Sequence, residues 1–180
     1  MSADPADRPG TLPTSQAASA GRTRTFGWHD PLAFLREVRG MSGLQMLRAI
    51  RDGELAPPPI TEALDFALTE VEEGRVVFAL TPAEYHYNPI GSVHGGVAAT
   101  LLDSAMGCAV NTLLPAGVAY TTLELKVNYI RPLTIATGPV RAEGTVQHLG
   151  GKIAVAEGKL TGQDGKLYAS ATTTCLVMRP

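Results

Sequence analysis

The stretch that decides the fold of this chain is NPIGSVHGGVAATLLD, residues Asn88 to Asp103. Its two consecutive glycines precede a long apolar run, which predicts a helix from about residue 96 to residue 114. Within that run Asp103 is the only ionisable group apart from the thiol of Cys108. A carboxylate on an apolar helix is costly to bury unless a partner binds it or a reaction uses it. Because free N–H groups at a helix start stabilise negative charge, the stretch predicts a site that hydrolyses an acyl group.

Strand patterns surround this helix. We predict strands at residues 74–81, 118–130, 140–148, 152–160 and 166–178. In the longest of them, Leu123, Leu125, Val127 and Tyr129 form one predicted face, and Thr122, Glu124, Lys126 and Asn128 form the other. One long helix followed by four antiparallel strands is typical of an α+β fold in which a curved sheet wraps around the helix.

The first third of the chain is different in character. Residues 1–25 are rich in Ser, Thr, Ala, Pro and Gly, and we expect a disordered tail. Residues 26–59 are expected to form a helical N-terminal extension, broken at 40–43 and ended by a stiff Pro-rich connector at 56–59. Residues 60–180 form the predicted main domain. We expect the extension to cover part of the sheet or the mouth of a pocket.

Composition excludes several classes of function. A net charge of −2, without a run of Lys or Arg, argues against nucleic-acid binding. The two cysteines lack the spacing of a metal site or a disulfide framework, so no metal is expected. The N-terminus lacks an apolar secretory core, and the longest apolar span contains Asp103, Asn111 and Pro115. We therefore expect a cytoplasmic protein without a membrane partner.

Three segments resemble the hotdog-fold thioesterases, and most of all the phenylacetyl-CoA thioesterase (PaaI) type. They are Asn88–Asp103, Thr121–Pro132 (TTLELKVNYIRP) and His148–Leu160 (HLGGKIAVAEGKL). The resemblance covers roughly residues 60 to 178, in order and without large gaps. It implies a hotdog fold and hydrolysis of acyl-CoA thioesters at sites formed between two subunits of a homodimer. Such dimers commonly pair into homotetramers, and CoA enters as part of the substrate, so no separate cofactor is expected.

The resemblance also implies roles for individual residues. Asp103 matches the family's catalytic carboxylate, which acts as a nucleophile or a general base. Gly95 matches the glycine whose backbone N–H polarises the thioester carbonyl. Asn88 and His94 match residues that line the same site and position water or the thioester. Thr122 matches a Ser or Thr that reaches the site from the partner subunit.

Each of these residues also has a structural reading. Asp103 could cap a backbone or pair with a buried Arg, and His94 could hold the loop through its imidazole. Asn88 precedes a proline and could be a turn former, while Thr122 could pack within its strand. His29 and His86 are expected on the surface.

Substrate contacts can also be predicted. The N–H of Gly96 could bind the substrate beside that of Gly95. Arg131 and the turn Gly150-Gly151-Lys152 could bind the phosphates of CoA, because backbone donors beside a cation suit an anion. That turn could equally be an ordinary hairpin. The apolar helix and Tyr129 are compatible with an aromatic or a medium-chain acyl group.

Two other functions compete with thioester hydrolysis. A hotdog dehydratase or hydratase would need a His paired with an acid, and no second acid lies near His94 in the sequence. A non-catalytic acyl-CoA-binding protein or sensor would keep the pocket, yet it would gain nothing from a carboxylate facing the thioester. Hydrolysis is therefore the favoured function.

Overall fold

A computed structural model of the chain describes residues 21–179. Most of the tail predicted at residues 1–25 lies outside this range. The helices are α1 (Pro31–Glu37), α2 (Gly43–Arg51), α3 (Pro59–Leu64) and α4 (Gly95–Thr112). The strands are β1 (Phe66–Glu72), β2 (Arg75–Leu80), β3 (Ala119–Tyr129), β4 (Val140–Leu149), β5 (Ile153–Gly162) and β6 (Leu167–Met178).

The strands form one six-stranded sheet in the order β1-β2-β4-β5-β6-β3, and every neighbouring pair is antiparallel. Helix α4 packs across the sheet, and its apolar residues interlock with those of the strands to form the core. Strands β1 and β3 form the two edges. This curved sheet around one long helix confirms the predicted α+β hotdog fold.

Two elements escaped prediction. Helix α3 begins at Pro59, inside the predicted connector, because a proline in the first turn of a helix loses no hydrogen bond. Strand β1 pairs with β2, but its register shifts between Leu68 and Glu70. That shift breaks the alternation by which a strand is recognised in a sequence.

A second register shift lies in β3, between Thr122 and Glu124. It corrects the predicted faces of this strand, because an extra residue in a strand moves the following side chains to the opposite face. Leu123, predicted beside Leu125, is 55% exposed. Thr122, predicted beside Glu124 on the polar face, is instead half-buried and points toward α4.

The N-terminal extension shares the main core. The N–H of Gly43, the first residue of α2, donates to the carbonyl of Leu114 at 3.1 Å. A Cβ at Gly43 would lie 1.9 Å from the carbonyl oxygen of Asn111, so only glycine allows this approach to the end of α4. Leu47 of α2 is buried in the same cluster as α4 and the strands.

The part of the chain that the structure describes, residues 21–179, contains no helix long and apolar enough to cross a membrane. In the same range no group of three or more His, Cys, Asp or Glu side chains could hold a metal ion.

Candidate active site

Asp103 lies half-buried in the middle of α4. The hydroxyl of Thr122 donates to its Oδ1 at 2.9 Å. Across residues 21–179 this is the only hydrogen bond to the carboxylate, and no Lys or Arg lies within ion-pair distance of it. Oδ2 can therefore take a bond from a water or a substrate, and the alternative of a pair with a buried Arg finds no partner here.

The contact between Thr122 and Asp103 forms within one chain. The resemblance implied that Thr122 arrives from a partner subunit. The bulge in β3 accounts for the difference, because it moves Thr122 to the α4 side of the strand. Its hydroxyl therefore orients the carboxylate of its own subunit.

The start of α4 is organised by His94, which is its N-cap residue. The N–H of Gly96 donates to His94 Nδ1 at 2.9 Å, and the N–H of Val97 donates to the His94 carbonyl at 2.9 Å. The N–H of Gly96, predicted to bind substrate, is therefore already engaged. The N–H of Gly95 has no acceptor among the described residues, and it lies where the helix dipole favours an anion.

Tyr129, at the end of β3, covers this helix start. Its hydroxyl donates to the Gly95 carbonyl at 3.1 Å. A Cβ at Gly95 would lie 3.1 Å from the ring, so glycine lets the tyrosine approach. The sequence predicted Tyr129 only as compatible with an acyl group. Its position at the end of a predicted strand, two residues before Arg131, is the feature of the sequence from which its place in the site could have been predicted.

Asn88 shapes the loop ahead of the helix. Its Oδ1 accepts from the N–H groups of Ile90 and Ser92 at 3.1 and 3.2 Å, and its Nδ2 donates to the Ser92 hydroxyl at 3.1 Å. These bonds are those of a turn former, the structural alternative considered for this residue. Asn88 thus holds the segment that leads into His94.

His86 is buried, contrary to its predicted surface position. Its Nδ1 accepts from the N–H of Ala83 at 3.0 Å, and its Nε2 donates to the Leu64 carbonyl at 2.8 Å. Both ring nitrogens are used, so this imidazole holds the loop against α3.

Arg131 lies beside the helix start. A cavity of about 310 Å³ is lined by Gly95, Tyr129 and Arg131, among others. The guanidinium donates to the Leu167 carbonyl at 2.5 Å, and the residue remains exposed. The predicted phosphate-binding cation therefore adjoins the Gly95 end of α4.

The turn Gly150-Gly151-Lys152 lies at the other end of the sheet. Ile153, which follows the turn, pairs with Leu176 of β6. The start of β3 pairs with the same end of β6, whereas Tyr129 pairs with Ala169 at the far end. Strand β3 spans roughly 30 Å, so this turn and Arg131 lie far apart within one chain. The N–H of Gly150 donates to the Ile153 carbonyl at 2.8 Å, as in an ordinary hairpin.

Gly95 and Asp103 are also apart within one chain. They are eight positions apart on α4, which corresponds to about 12 Å along the helix axis. A nucleophile or base and an oxyanion donor must each lie ~3 Å from the reacting group. One chain therefore does not bring these two groups to the same thioester.

Tyr120 lies near Asp103, about one turn of α4 further toward the C-terminal end of the helix. A Cβ at Gly107 would lie 2.7 Å from the Tyr120 hydroxyl, so the phenol crosses α4 at this glycine. Its hydroxyl lies near the thiol of Cys108, the next residue along α4. Burial raises the pKa of Tyr120 well above its usual value and raises the pKa of the Cys108 thiol to about 12. Both groups are therefore neutral at neutral pH.

Comparison with known proteins places the chain in a family. Residues 90–169 match the thioesterase superfamily. A protein of Saccharolobus solfataricus, provisionally named an esterase, is 30% identical over 133 residues, which are 74% of this chain and 93% of that protein. Another from Halobacterium salinarum is 46% identical over 69 residues, 37% of this chain, and the match spans only 44% of that protein. The 1,4-dihydroxy-2-naphthoyl-CoA hydrolase of Listeria monocytogenes is 27% identical over 67% of this chain and 96% of its own length.

Solved structures agree with these matches. A thioesterase-type protein of Ralstonia eutropha, related to phenylacetic acid degradation, superposes with a TM-score of 0.65 at 28% identity, covering 72% of this chain and 98% of that one. PaaI of Escherichia coli has a TM-score of 0.66 at 22% identity, covering 77% and 96%, and shares the fold. The chain belongs to the thioesterase superfamily, the class of thioester hydrolases to which its hotdog fold had pointed.

Proposed function

We propose that the protein hydrolyses acyl-CoA thioesters to a free acid and CoA, using Asp103 and the N–H of Gly95. The observation that carries the proposal is Asp103 itself, a half-buried carboxylate that, within residues 21–179, is bonded to one hydroxyl and has no cation beside it. It lies on the helix whose first N–H is free among the described residues. The CoA hydrolase name of the Listeria relative supports CoA esters as the substrate class.

The two groups divide the reaction between them. Asp103 attacks the thioester carbonyl, or removes a proton from a water that does so. The carbonyl oxygen becomes negatively charged, and the N–H of Gly95 stabilises it. One such donor is worth ~3–4 kcal/mol of barrier. The C–S bond then breaks, and the CoA thiolate leaves and takes a proton. When Asp103 acts as a base, the acyl carbon keeps the oxygen of the attacking water. When Asp103 is the nucleophile, the acyl group is first held as a mixed anhydride on its carboxylate, and a water then hydrolyses this anhydride to release the acid and restore Asp103.

Because Gly95 and Asp103 are about 12 Å apart within one chain, we infer that a homodimer is the catalytic unit. Ala99 lies midway between them on α4. A two-fold axis that passes α4 at Ala99 sets Gly95 of one subunit beside Asp103 of the partner subunit. The free edge of β3, with its exposed Leu123, supplies the surface for such pairing.

The same symmetry unites the proposed CoA contacts. A two-fold axis reverses the direction of β3 in the partner, so the Arg131 end of one subunit meets the opposite end of the other. The exposed Lys152 and the glycines of its turn then come to the Arg131 side. Arg131, Lys152 and the N–H of Gly151 would bind the CoA phosphates. Assembly of two dimers into a tetramer, and a cytoplasmic location, stay predictions.

The test is release of CoA thiol from phenylacetyl-, benzoyl-, short-, medium- and long-chain acyl-CoAs. For Asp103→Asn we expect kcat to fall by roughly 10²–10⁴-fold, because the carboxylate can no longer act as a base or a nucleophile. The matched control is Glu157→Gln, which removes a carboxylate from the exposed face of β5 and should leave kcat unchanged.

Other results would overturn the proposal. Binding of acyl-CoA by the wild type without release of thiol would indicate a sensor. Formation of an enoyl product without thiol release would indicate a hydratase. An unchanged kcat in a folded Asp103→Asn variant would assign the chemistry to another group.

A further inference from the structure

A second cavity, of about 570 Å³, lies between the N-terminal extension and the main sheet. The extension contributes Ile50 and Leu55, the sheet contributes Phe66 and Phe78, and α4 contributes Cys108. Arg51, Glu54 and Glu62 add charged groups, and His29 and Thr61 add polar ones, to a lining whose remaining side chains are apolar. The cavity therefore exists because the extension packs where it does.

Its size and lining match those of a small-molecule pocket. Such pockets measure about 300–1,000 Å³ and are mostly apolar with a few polar groups. The cavity is open to solvent where the exposed Arg51 and Glu54 line it, and the buried Leu47, Phe66 and Phe78 form its apolar floor. The lining favours an apolar ligand, because burial of apolar surface is the main gain that it offers.

The cavity and the proposed reaction centre both lie against α4. Cys108 follows Asp103 by five positions, which is about 7.5 Å along the helix axis and about 140° around it, so the two side chains lie on different faces of α4. The Tyr120 phenol crosses α4 at Gly107, next to Cys108. Two residues further along β3, Thr122 donates to Asp103. Tyr120 and Cys108 therefore stand between the carboxylate and the cavity.

We propose that this cavity receives the acyl group of the thioester, which passes Tyr120 and Cys108 on its way from Asp103. The preferred substrate is then an acyl-CoA with a medium-length apolar chain or an aromatic ring. This inference rests on the proposed function. It also assigns the N-terminal extension a role in substrate selection, since Ile50 and Leu55 form one wall.

The first test is the dependence of kcat/KM on acyl length, from butyryl- through hexanoyl- and octanoyl- to decanoyl-CoA. Each added methylene should raise kcat/KM about three- to fourfold until the cavity is full. Ile50→Trp fills the cavity from α2 and should abolish this rise while butyryl-CoA turnover is retained. Ile60→Trp is the matched control, because Ile60 is 48% exposed on α3 and lies outside the lining.

Ala67→Phe fills the cavity from β1 and serves if Ile50→Trp does not fold. A rise with chain length that survives in a folded filling variant would overturn the inference. The proposed function would still stand in that case, because turnover would continue to depend on Asp103.

The second test needs no turnover. Titration calorimetry with octanoate and decanoate should detect binding to the wild type and to Ile60→Trp, and at least tenfold weaker binding to Ile50→Trp. Binding of these acids without hydrolysis of any acyl-CoA would support the cavity and overturn the proposed function. Equal affinity of the acids for wild type and Ile50→Trp would overturn the cavity proposal.

Discussion

At the scale of the residue, Gly95 combines two properties that no other residue type supplies together. Its N–H at the start of α4 has no acceptor in the part of the chain that the structure describes, and its missing side chain admits the Tyr129 ring. Proline is the informative replacement, because the first position of a helix tolerates it. His94 has φ −60° and ψ 133°, a conformation that a residue before proline readily adopts.

We expect Gly95→Pro to lower kcat roughly 10²–10³-fold, because it removes the oxyanion donor and preserves the helix. Gly95→Ala is the matched control. It keeps the N–H and introduces the same Cβ near Tyr129, so it should lose less than about tenfold by the same reasoning. Steady-state kinetics with one acyl-CoA, together with circular dichroism, provides the measurement. Equal losses in both variants would mean that crowding at Tyr129, not the N–H, limits the rate.

At the scale of the element, α2 is part of the core whereas α1 is not. Leu47 of α2 is 3% exposed and contacts the main cluster, whereas Leu32 of α1 is 63% exposed. The hydrogen bond from the Gly43 N–H to the Leu114 carbonyl joins the start of α2 to the residues that follow α4. A truncation at Pro57 would therefore remove core residues together with one wall of the 570 Å³ cavity.

Two Leu→Ala variants test whether α2 contributes to stability and α1 does not. Leu47→Ala should lower the free energy of unfolding by about 2–5 kcal/mol, because it leaves a cavity in the packed core. Leu32→Ala should change it by less than about 0.5 kcal/mol. Urea denaturation followed by fluorescence measures both. If Leu47→Ala were as stable as Leu32→Ala, α2 would not be part of the cooperative unit.

At the scale of the whole molecule, the proposed site is divided between subunits. The spacing of Gly95 and Asp103 on one rigid helix is the reason, because α4 cannot bend enough to bring them together. The same division applies to Arg131 and the turn at Lys152, which lie at opposite ends of the sheet. Each site would then take its oxyanion donor and its carboxylate from different chains.

Mixing two inactive variants tests this division. Asp103→Asn supplies an intact Gly95, and Gly95→Pro supplies an intact Asp103. Equal mixing with subunit exchange gives heterodimers in which one of two sites is complete, so about a quarter of wild-type activity should return. Mixing Asp103→Asn with wild type controls for the exchange itself. If the mixture stayed as inactive as its components after verified exchange, both groups would have to act within one chain.

The sequence alone was enough to predict α4, the strands β2 to β6 and the family. Apolar periodicity, glycines before a helix and hairpin turns each depend on residues that are neighbours in the sequence, so they can be recognised without a structure. Asp103 could be singled out for the same reason, since an unpaired carboxylate in an apolar run stands out.

Tertiary structure decided the remaining features. Strand β1 and the inward position of Thr122 depend on bulges, which strand pairing creates and alternation hides. The engagement of Gly96 by His94 and the burial of His86 depend on which backbone groups remain free once the chain is folded. The 570 Å³ cavity lies between segments as distant as Ile50, Phe78 and Cys108. Periodicity reports which face of one element is buried, whereas a cavity depends on how several elements pack together.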